Sequence, residues 1–151
     1  MKNRLMEIKK LSKEDISLFE KLIKLFEDVF EMKSFNMPNV EHLHFLLAKE
    51  EFHAFVALDD SCVIGGLTAY TLNQYYSTKP LAYIFDLAVL RTHQRQGLGK
   101  ELIQQTKVYF KQQGFEEVFV QADNADEYAV DFYRKTYPAQ EENVFHFSYF
   151  L

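Results

Sequence analysis

The segment Gln94-Arg95-Gln96-Gly97-Leu98-Gly99 lies between an apolar run at 81–90 and a run with helical character at 100–113. A strand, a glycine turn and a helix start in this order can form an anion site. Glycine lets the backbone approach a ligand closely, and the first turn of a helix offers N–H groups at the positive end of its dipole. We therefore expect this turn to bind the pyrophosphate of a nucleotide-type cofactor, which makes the chain a candidate enzyme.

The turn is not the dinucleotide fingerprint, because Leu102 stands where that motif has its third glycine. Three cations flank the turn: Arg91, Arg95 and Lys100. They could pair with phosphate oxygens, or they could serve only solubility.

The periodicity of apolar residues predicts the remaining elements. Strands are expected at 6–11, 52–58, 63–72, 81–90, 118–122 and 144–150, and helices at 14–30, 40–49, 100–113 and 127–135. Ser12 is a plausible N-cap for the first helix, and Gly114 suits the end of the third. Antiparallel hairpins combined with one crossover predict an α/β fold of one domain, 1–151, with a mixed sheet covered by helices.

Composition restricts the function classes. Apolar residues make up 48% of the 151 residues, which is enough for a core, and no apolar run reaches the length of a membrane span. The beginning of the chain lacks an apolar signal core, so we expect a cytoplasmic protein. The net charge of −5 argues against nucleic acid as a partner. The single cysteine, Cys62, lies in an apolar run and is expected to be a small buried side chain.

The negative charge is concentrated in residues 116–142. This segment has eight carboxylates against Arg134 and Lys135, whereas the rest of the chain has 14 acidic and 15 basic side chains. A solvated surface would explain the excess. Alternatively, the segment provides a field that attracts a cationic substrate.

Two side chains are candidates for proton transfer. Asp86 interrupts the apolar strand at 81–90, where an ionised carboxylate is costly unless it is paired. It is either part of an ion pair or at a sheet edge, or it is a cleft carboxylate with a raised pKa that holds an ammonium group or accepts its proton. Tyr133 shares a helical face with Ala129 and Phe132, which is typical of core packing. A tyrosine that faced a cleft could instead donate a proton to a leaving group.

Metal and covalent chemistry have weaker support. None of the five histidines has a partner at metal-ligand spacing, so we expect no metal site. His146 alternates with Phe145 and Phe147, and could face a pocket or be a structural histidine. Because no promising nucleophile is present, direct attack of a substrate on an activated donor is favoured over a covalent enzyme intermediate.

At these residues the chain resembles the GNAT acetyltransferase superfamily. The order of elements agrees over nearly the whole length, and the Gln94–Gly99 turn matches the superfamily's Gln/Arg-x-x-Gly-x-Gly/Ala motif. The resemblance implies acetyl-coenzyme A as cofactor, with a bulged strand before the turn that splays from the following strand. It also implies that Tyr133 protonates the coenzyme thiolate. The implied cofactor-binding residues are Leu87, Ala88, Val89, Gln94, Arg95, Gln96, Gly97, Leu98, Gly99 and Lys100.

Several segments also resemble aminoglycoside 3-N-acetyltransferases of the gentamicin-resistance type. They include Ile84–Val89, His93–Gly97 and Val120–Asp123, and they fall within residues 52–147. In that subfamily acidic side chains surround a polycationic substrate. The matching candidates here are Asp86, Asp123, Asp126, Glu127 and Glu142. The chain departs from many relatives after the last predicted helix, where Lys135-Thr136-Tyr137-Pro138-Ala139 replaces Lys-x-Gly-Phe.

From the turn, the strand acid and the tyrosine helix we expect direct attack of a neutral amine on the thioester. Asp86 would remove the ammonium proton, and a backbone N–H near Val89 would stabilise the oxyanion. The alternatives are an acetyltransferase for another amine (a polyamine, a metabolite or a peptide N-terminus) or a non-catalytic module that binds coenzyme A. The apolar ending 145–151 would fit a strand at a homodimer interface, or core packing.

Overall fold

A computed structural model describes residues 6–151. In this part of the chain the sheet has five strands in the order β1-β2-β3-β4-β5. The strands are β1 (Met6–Lys10), β2 (Phe52–Asp59), β3 (Cys62–Leu72), β4 (Leu81–Val89) and β5 (Glu117–Val120). The first four pair antiparallel to their neighbours, and β5 pairs parallel to β4. The expected mixed, mostly antiparallel sheet is therefore confirmed.

The four predicted helices are present, with bounds shifted by one or two residues at several ends. They are α1 (Ile16–Val29), α2 (Val40–Leu47), α3 (Leu98–Gln112) and α4 (Glu127–Arg134), and a short 3-10 turn, Arg91–His93, precedes α3. The crossover from β4 to β5 runs through α3, because two parallel strands need a long connection between them.

The start of α1 differs from the prediction. Asp15, not Ser12, directly precedes the helix, and Asp15 Oδ2 accepts the Ser12 N–H at 2.8 Å. The serine hydroxyl donates to Glu14 and Asp15 instead of capping the helix. The cap that was expected at the C-terminal end of α3 is confirmed. Gly114 has φ 86°, and the N–H groups of Gly114 and Phe115 donate back to carbonyls of the last turn.

Helices α1 and α2 cover one face of the sheet. Their buried residues form a core cluster with the β2 side chains Phe52, Ala54, Val56 and Leu58 and with Ala88 of β4. The helix packs closely against the sheet at Gly66, where an added Cβ would lie 2.5 Å from Leu22 Cδ1 and 2.4 Å from the Phe55 oxygen. Only glycine fits between α1 and the strand at that point.

Helix α3 covers the opposite face. Phe110 is completely buried and contacts the rings of Phe55, Phe115 and His53. His53 is 6% exposed, its Nε2 lies 2.7 Å from Thr71 Oγ1, and its Nδ1 has no hydrogen-bond partner. Burial, with a smaller contribution from Lys10, lowers the His53 pKa to about 4. The imidazole is therefore neutral near pH 7 and acts as a packing group.

The last predicted strand, 144–150, is wrong. Residues 138–151 contain no regular secondary structure, and their apolar side chains are exposed, with Phe145 at 89% and Phe150 at 98%. An alternating pattern shows which side chains could share a face, but a strand also needs a neighbour for its backbone N–H and C=O groups. Within the described chain this segment makes no strand ladder.

Cys62 was also mispredicted, because it is exposed. It is the first residue of β3, directly after the turn at Asp60 and Ser61, so it lies outside the covered part of the strand. Among residues 6–151, no helix combines the length and the apolar character that crossing a bilayer requires.

The chain divides into two compact units, one ending at Gln121 and one from Ala122 to Leu151. The first contains the sheet and α1 to α3, and the second contains α4 and the C-terminal segment. The single domain over 1–151 stays a prediction.

Candidate active site

The Gln94–Gly99 turn connects the end of β4 to the start of α3. Gly97 directly precedes the helix with φ 81°, and Arg95 has φ 62°. Both lie in the left-handed region, which glycine adopts without steric cost and other residues adopt rarely. The side chain of Gln94 secures the turn, because its Nε2 donates to the Val89 carbonyl at 2.8 Å. The N-terminus of α3 therefore begins beside the end of β4, as the sequence predicted.

This N-terminus is suited to an anion. The first helical hydrogen bond of α3 is donated by the Glu101 N–H to the Gly97 carbonyl, at 3.0 Å. The N–H groups of Leu98 and Gly99 precede it and have no intrahelical acceptor. No side chain caps the helix at Gly97. These amides, together with the helix dipole, fit a diphosphate.

Arg91 holds the turn and has no visible role as a phosphate ligand. Its guanidinium donates to the carbonyls of Asp28 and Val29 at the end of α1, at 3.1 and 3.4 Å, and lies 3.4 Å from the Asp28 carboxylate. His93 Nε2 lies 3.8 Å from Asp59 Oδ2 at the end of β2. Two side chains of the 3-10 turn thus connect it to α1 and to β2.

Strands β4 and β5 separate halfway along β4. Their pairing runs from Leu81 opposite Glu117 to Ile84 opposite Val120 and stops there, whereas β4 continues to Val89. The splayed strand pair that the resemblance implied is therefore present. Beyond Ile84, the edge of β4 that faces away from β3 has no strand partner among the described residues.

The direction of the β4 backbone groups follows from the ladder with β3. The Leu90 N–H donates to the Ile64 carbonyl at 2.9 Å, so Leu90 and, two residues earlier, Ala88 direct their N–H and C=O groups toward β3. Leu87 and Val89 direct theirs to the opposite edge, which opens into the gap. Of the three backbone positions predicted to contact cofactor, Leu87 and Val89 have the geometry for it, whereas Ala88 bonds to β3.

A β-bulge at Phe85 lies directly after the last residue of β4 that pairs with β5. It interrupts the ladder between β4 and β3. Thr68 of β3 lies opposite Asp86, and the next residue, Ala69, lies opposite Ile84, so Phe85 has no counterpart. A bulge reverses the alternation of side chains along the strand. Ile84 therefore lies on the α3 face, whereas Asp86 and Ala88 lie on the α1 face, although all three are even-numbered.

Asp86 is half-buried on this face, and burial raises the pKa of its carboxyl above the usual range. Its charge, after the larger effect of burial, also raises the pKa of the Tyr70 hydroxyl. No salt bridge of Asp86 occurs among the described residues, so the ion-pair explanation of this acid in an apolar strand loses support. A half-buried carboxylate with a raised pKa, on the part of β4 that β5 leaves unpaired, can accept a proton from a bound ammonium group.

The second unit contains Tyr133 and the other predicted acidic residues. Tyr133 is half-buried on α4 and its ring lies 5.0 Å from that of Phe132. Asp126 caps α4 by accepting the Ala129 N–H at 3.0 Å, and Asp123 accepts the Ala125 N–H at 2.9 Å. Glu127 and Glu142 are exposed. Four carboxylates are thus gathered in one small unit, two of them with local structural roles.

The sequence left the position of one feature of the site open and missed another. The resemblance implied a bulged strand before the turn, but the pattern gave no sign that the bulge lies at Phe85, since Phe85-Asp86 could also be read as one regular alternation. The aromatic residues Tyr70, Tyr83 and Phe119 were not among the predicted site residues, although they share a face with Asp86. The spacing of aromatic residues on three neighbouring strands was the signal that could have shown this.

In the described part of the chain no group of histidine, cysteine or acidic residues has metal-ligand geometry, and His146 is exposed, with Nε2 3.1 Å from Ser148 Oγ.

Comparison with known proteins agrees with this geometry. The model of the acetyltransferase (GNAT) family matches residues 17–137. No curated protein matches the sequence at a significant level. A crystal structure of the aminoglycoside acetyltransferase meta-AAC0020, from an uncultured soil metagenomic sample and in complex with sisomicin, is 55% identical with a TM-score of 0.96. That match covers 97% of this chain and 96% of the other.

Two further structures are similar. The aminoglycoside acetyltransferase HMB0005, also from an uncultured soil metagenomic sample, is 33% identical with a TM-score of 0.90, over 97% of this chain and 99% of the other. Aminoglycoside N-acetyltransferase AAC(6')-Iy, in complex with CoA, is 16% identical with a TM-score of 0.79 over 98% of this chain and 97% of the other, which shows a common fold. This chain belongs to the acetyltransferase (GNAT) family and is an acetyl-CoA-dependent acetyltransferase.

Proposed function

We propose that the enzyme acetylates an amino group of an aminoglycoside, at the 3-N position. The observation that carries the acceptor class is the 55% identity, over 97% of the chain, to an aminoglycoside acetyltransferase crystallised with sisomicin. The 3-N position rests on the resemblance of segments such as Ile84–Val89 and His93–Gly97 to acetyltransferases of the gentamicin-resistance type.

The residues present fit acetyl-coenzyme A, which when bound supplies an activated thioester. The amides at the start of α3, including those of Leu98 and Gly99, would hold the diphosphate through hydrogen bonds and the helix dipole. The remaining predicted contacts in this turn are Gln94, Arg95, Gln96, Gly97 and Lys100. The outward backbone groups of Leu87 and Val89 would align the thiol-bearing arm along the gap between β4 and β5.

Asp86 would act as the base. An ammonium group has no lone pair with which to attack, so a proton must leave its nitrogen first. The raised pKa of the Asp86 carboxyl brings it closer to that of an amine than an ordinary carboxylate is, which favours proton transfer to Oδ1 or Oδ2, directly or through water. The Val89 N–H points into the gap, where it could stabilise a developing oxyanion.

Tyr133 would supply the second proton. Its hydroxyl hydrogen would move to the departing sulfur, so that the thiolate leaves as a thiol. The carboxylates Asp123, Asp126, Glu127 and Glu142 of the second unit would attract a polycationic acceptor by their field.

The test is turnover. The purified enzyme would be incubated with acetyl-coenzyme A and either gentamicin or sisomicin, and release of free thiol would be recorded with a thiol reagent. NMR of the product identifies the acetylated nitrogen. Acetylation at another nitrogen would overturn the 3-N assignment but keep the acceptor class. No turnover with any aminoglycoside, together with turnover of spermidine or a peptide N-terminus, would overturn the acceptor class.

The C-terminal segment supports a further element of the proposal, a homodimer. Between Val144 and Leu151 all residues except His146 and Ser148 have apolar or aromatic side chains, and each of these side chains is at least 59% exposed. So large an apolar surface is unusual in water. Since the same segment would be exposed in every copy, a second copy can cover it by symmetry. Light scattering of the purified protein tests this, and a monomer at micromolar concentration would contradict it.

A further inference from the structure

Four aromatic side chains form one continuous surface beside Asp86, which we call the aromatic wall: Tyr70, Tyr83, Phe85 and Phe119. Tyr70, Tyr83 and Phe119 lie in register on β3, β4 and β5, since Tyr70 pairs with Tyr83 and Tyr83 pairs with Phe119. Each of three neighbouring strands thus contributes one ring to the same face of the sheet.

The rings of the wall contact each other in defined geometry. Tyr83 stacks on Phe119 with ring centroids 4.8 Å apart and planes at 7°. Phe85 meets Tyr70 and Tyr83 edge to face, at 5.8 and 6.1 Å. Tyr70 is anchored to the core by Phe52 at 5.4 Å. The wall is therefore rigid at its base.

The outer part of the wall is open to solvent. Phe85 is 57% exposed, although strand residues of its type are usually covered. It owes this position to the bulge, which places it next to the half-buried Asp86 on the α1 face. The site thus offers a large aromatic surface and one carboxylate immediately beside it.

From this arrangement we infer that the aromatic wall is the acceptor subsite and selects an amine carried on a saturated ring. The C–H face of such a ring would cover Phe85 and Tyr83, while its ammonium group reaches Asp86. Aromatic faces attract both apolar C–H surface and adjacent positive charge. A linear polyamine presents charge to Asp86 but no ring face to the wall. This inference rests on the proposed function and deepens it, because it names the feature of the acceptor that is recognised.

The test compares Phe85→Leu with the wild type, using gentamicin as the cyclic acceptor and spermidine as the linear one. Leucine keeps an apolar side chain and removes the ring. We expect the KM for gentamicin to rise about five- to tenfold, from the usual contribution of one aromatic contact. The kcat and the KM for acetyl-coenzyme A should stay within about twofold, because Asp86 and the turn are untouched. Phe45→Leu is the matched control: Phe45 is 54% exposed on α2, away from the wall residues in sequence, and should leave every constant unchanged.

Each outcome decides the inference. If the wild type acetylates gentamicin and Phe85→Leu has the same KM, the wall is not the subsite, and the proposed function stands. If the wild type uses spermidine with a lower KM than gentamicin, selection of a ring is overturned. If no amine is acetylated, the proposed function fails, and calorimetric titration of gentamicin in the presence of coenzyme A decides the subsite. Binding that weakens in Phe85→Leu supports it, whereas no binding or equal binding overturns it.

Discussion

The two halves of β4 differ in how their edges are paired. Residues Leu81 to Ile84 lie between β3 and β5 and are paired on both sides, whereas Asp86 to Val89 are paired only with β3. Phe85, the bulged residue, separates the halves. The paired half satisfies its backbone within the sheet and serves stability. The unpaired half leaves backbone groups directed at a gap, where a ligand can supply the missing hydrogen bonds.

A titratable side chain whose pKa is shifted by burial can be compared near each half. His53 lies on β2 opposite Ala69, which pairs with Ile84 of the paired half, and its pKa is lowered to about 4. Asp86 begins the unpaired half, and its pKa is raised. Both shifts favour the neutral form, but His53 is enclosed by rings, whereas Asp86 is half-buried on the part of β4 that β5 leaves unpaired. The shifted pKa alone therefore does not distinguish a packing group from a base, and the pairing of the neighbouring strand does.

The largest effect is expected from deleting Phe85. Phe85 has no partner on β3, so its deletion can leave all the residue pairs between β3 and β4 intact. Without the bulge β4 would straighten, and the gap beside it would narrow. We expect acetyl transfer to fall more than about 100-fold because the reacting groups are misplaced, while the melting temperature is unchanged or higher. Thiol release and thermal unfolding measure the two effects. Phe85→Gly, which keeps the bulge, is the control, and deletion with a normal rate would refute the role of the bulge.

Asp86→Asn should separate activity from stability. Because the folded-state pKa of this carboxyl is raised, its ionised form costs stability at neutral pH, and that cost fades as the pH falls through the raised pKa. The amide should therefore lower kcat/KM by about 100-fold or more without lowering the melting temperature. In the wild type the acid limb of kcat/KM should lie above the usual range of aspartate. Asp60→Asn, in the β2–β3 turn, is the control. A substantial residual rate in Asp86→Asn would exclude the base role.

His53→Phe tests the paired half. The folded protein keeps His53 neutral down to about pH 4, whereas the unfolded chain takes up the proton near pH 6.5. Stability should therefore fall as the pH drops from about 6.5 toward 4, by up to about 3 kcal/mol. Phenylalanine should remove this dependence of stability on pH. It should also lower stability by an amount that does not depend on pH, because the contact with Thr71 is lost. Urea unfolding at several pH values measures it, and parallel slopes in the two proteins would contradict the prediction. Other titratable groups, such as Asp15, contribute equally to the pH dependence of both proteins, so the difference between the two slopes reports on His53.

Gly97→Ala should have the smallest effect and the most local one. The residue has φ 81°, and an added Cβ meets no atom within 4 Å, so only backbone strain of about 1–2 kcal/mol opposes alanine. We expect the KM for acetyl-coenzyme A to rise about fivefold, because relief of the strain moves the turn. Gly114→Ala is a matched control, with φ 86° and equally open surroundings at the far end of α3. It should lose similar stability and keep its KM; equal changes of KM in both would remove the special role of the turn.

Most elements were predictable from local signals. Amphipathic spacing predicts α1 and α4, the alternation and apolar runs predict β2 to β4, and the glycine turn predicts the start of α3 within two residues. The failures involve residues whose state depends on a partner. Cys62 lies in an apolar run but at an uncovered strand end, and residues 144–150 have a strand-like pattern but no neighbouring strand among the described residues.

The amino-acid order alone was sufficient for the family, the glycine turn before α3 and the candidate acid Asp86, because each depends on a few residues that are adjacent in the chain. The tertiary structure was needed for the face on which Asp86 lies, the commitment of Arg91 to α1, and the aromatic wall. These depend on the register of β3, β4 and β5, and register is a relation between distant segments that a one-residue bulge can reverse.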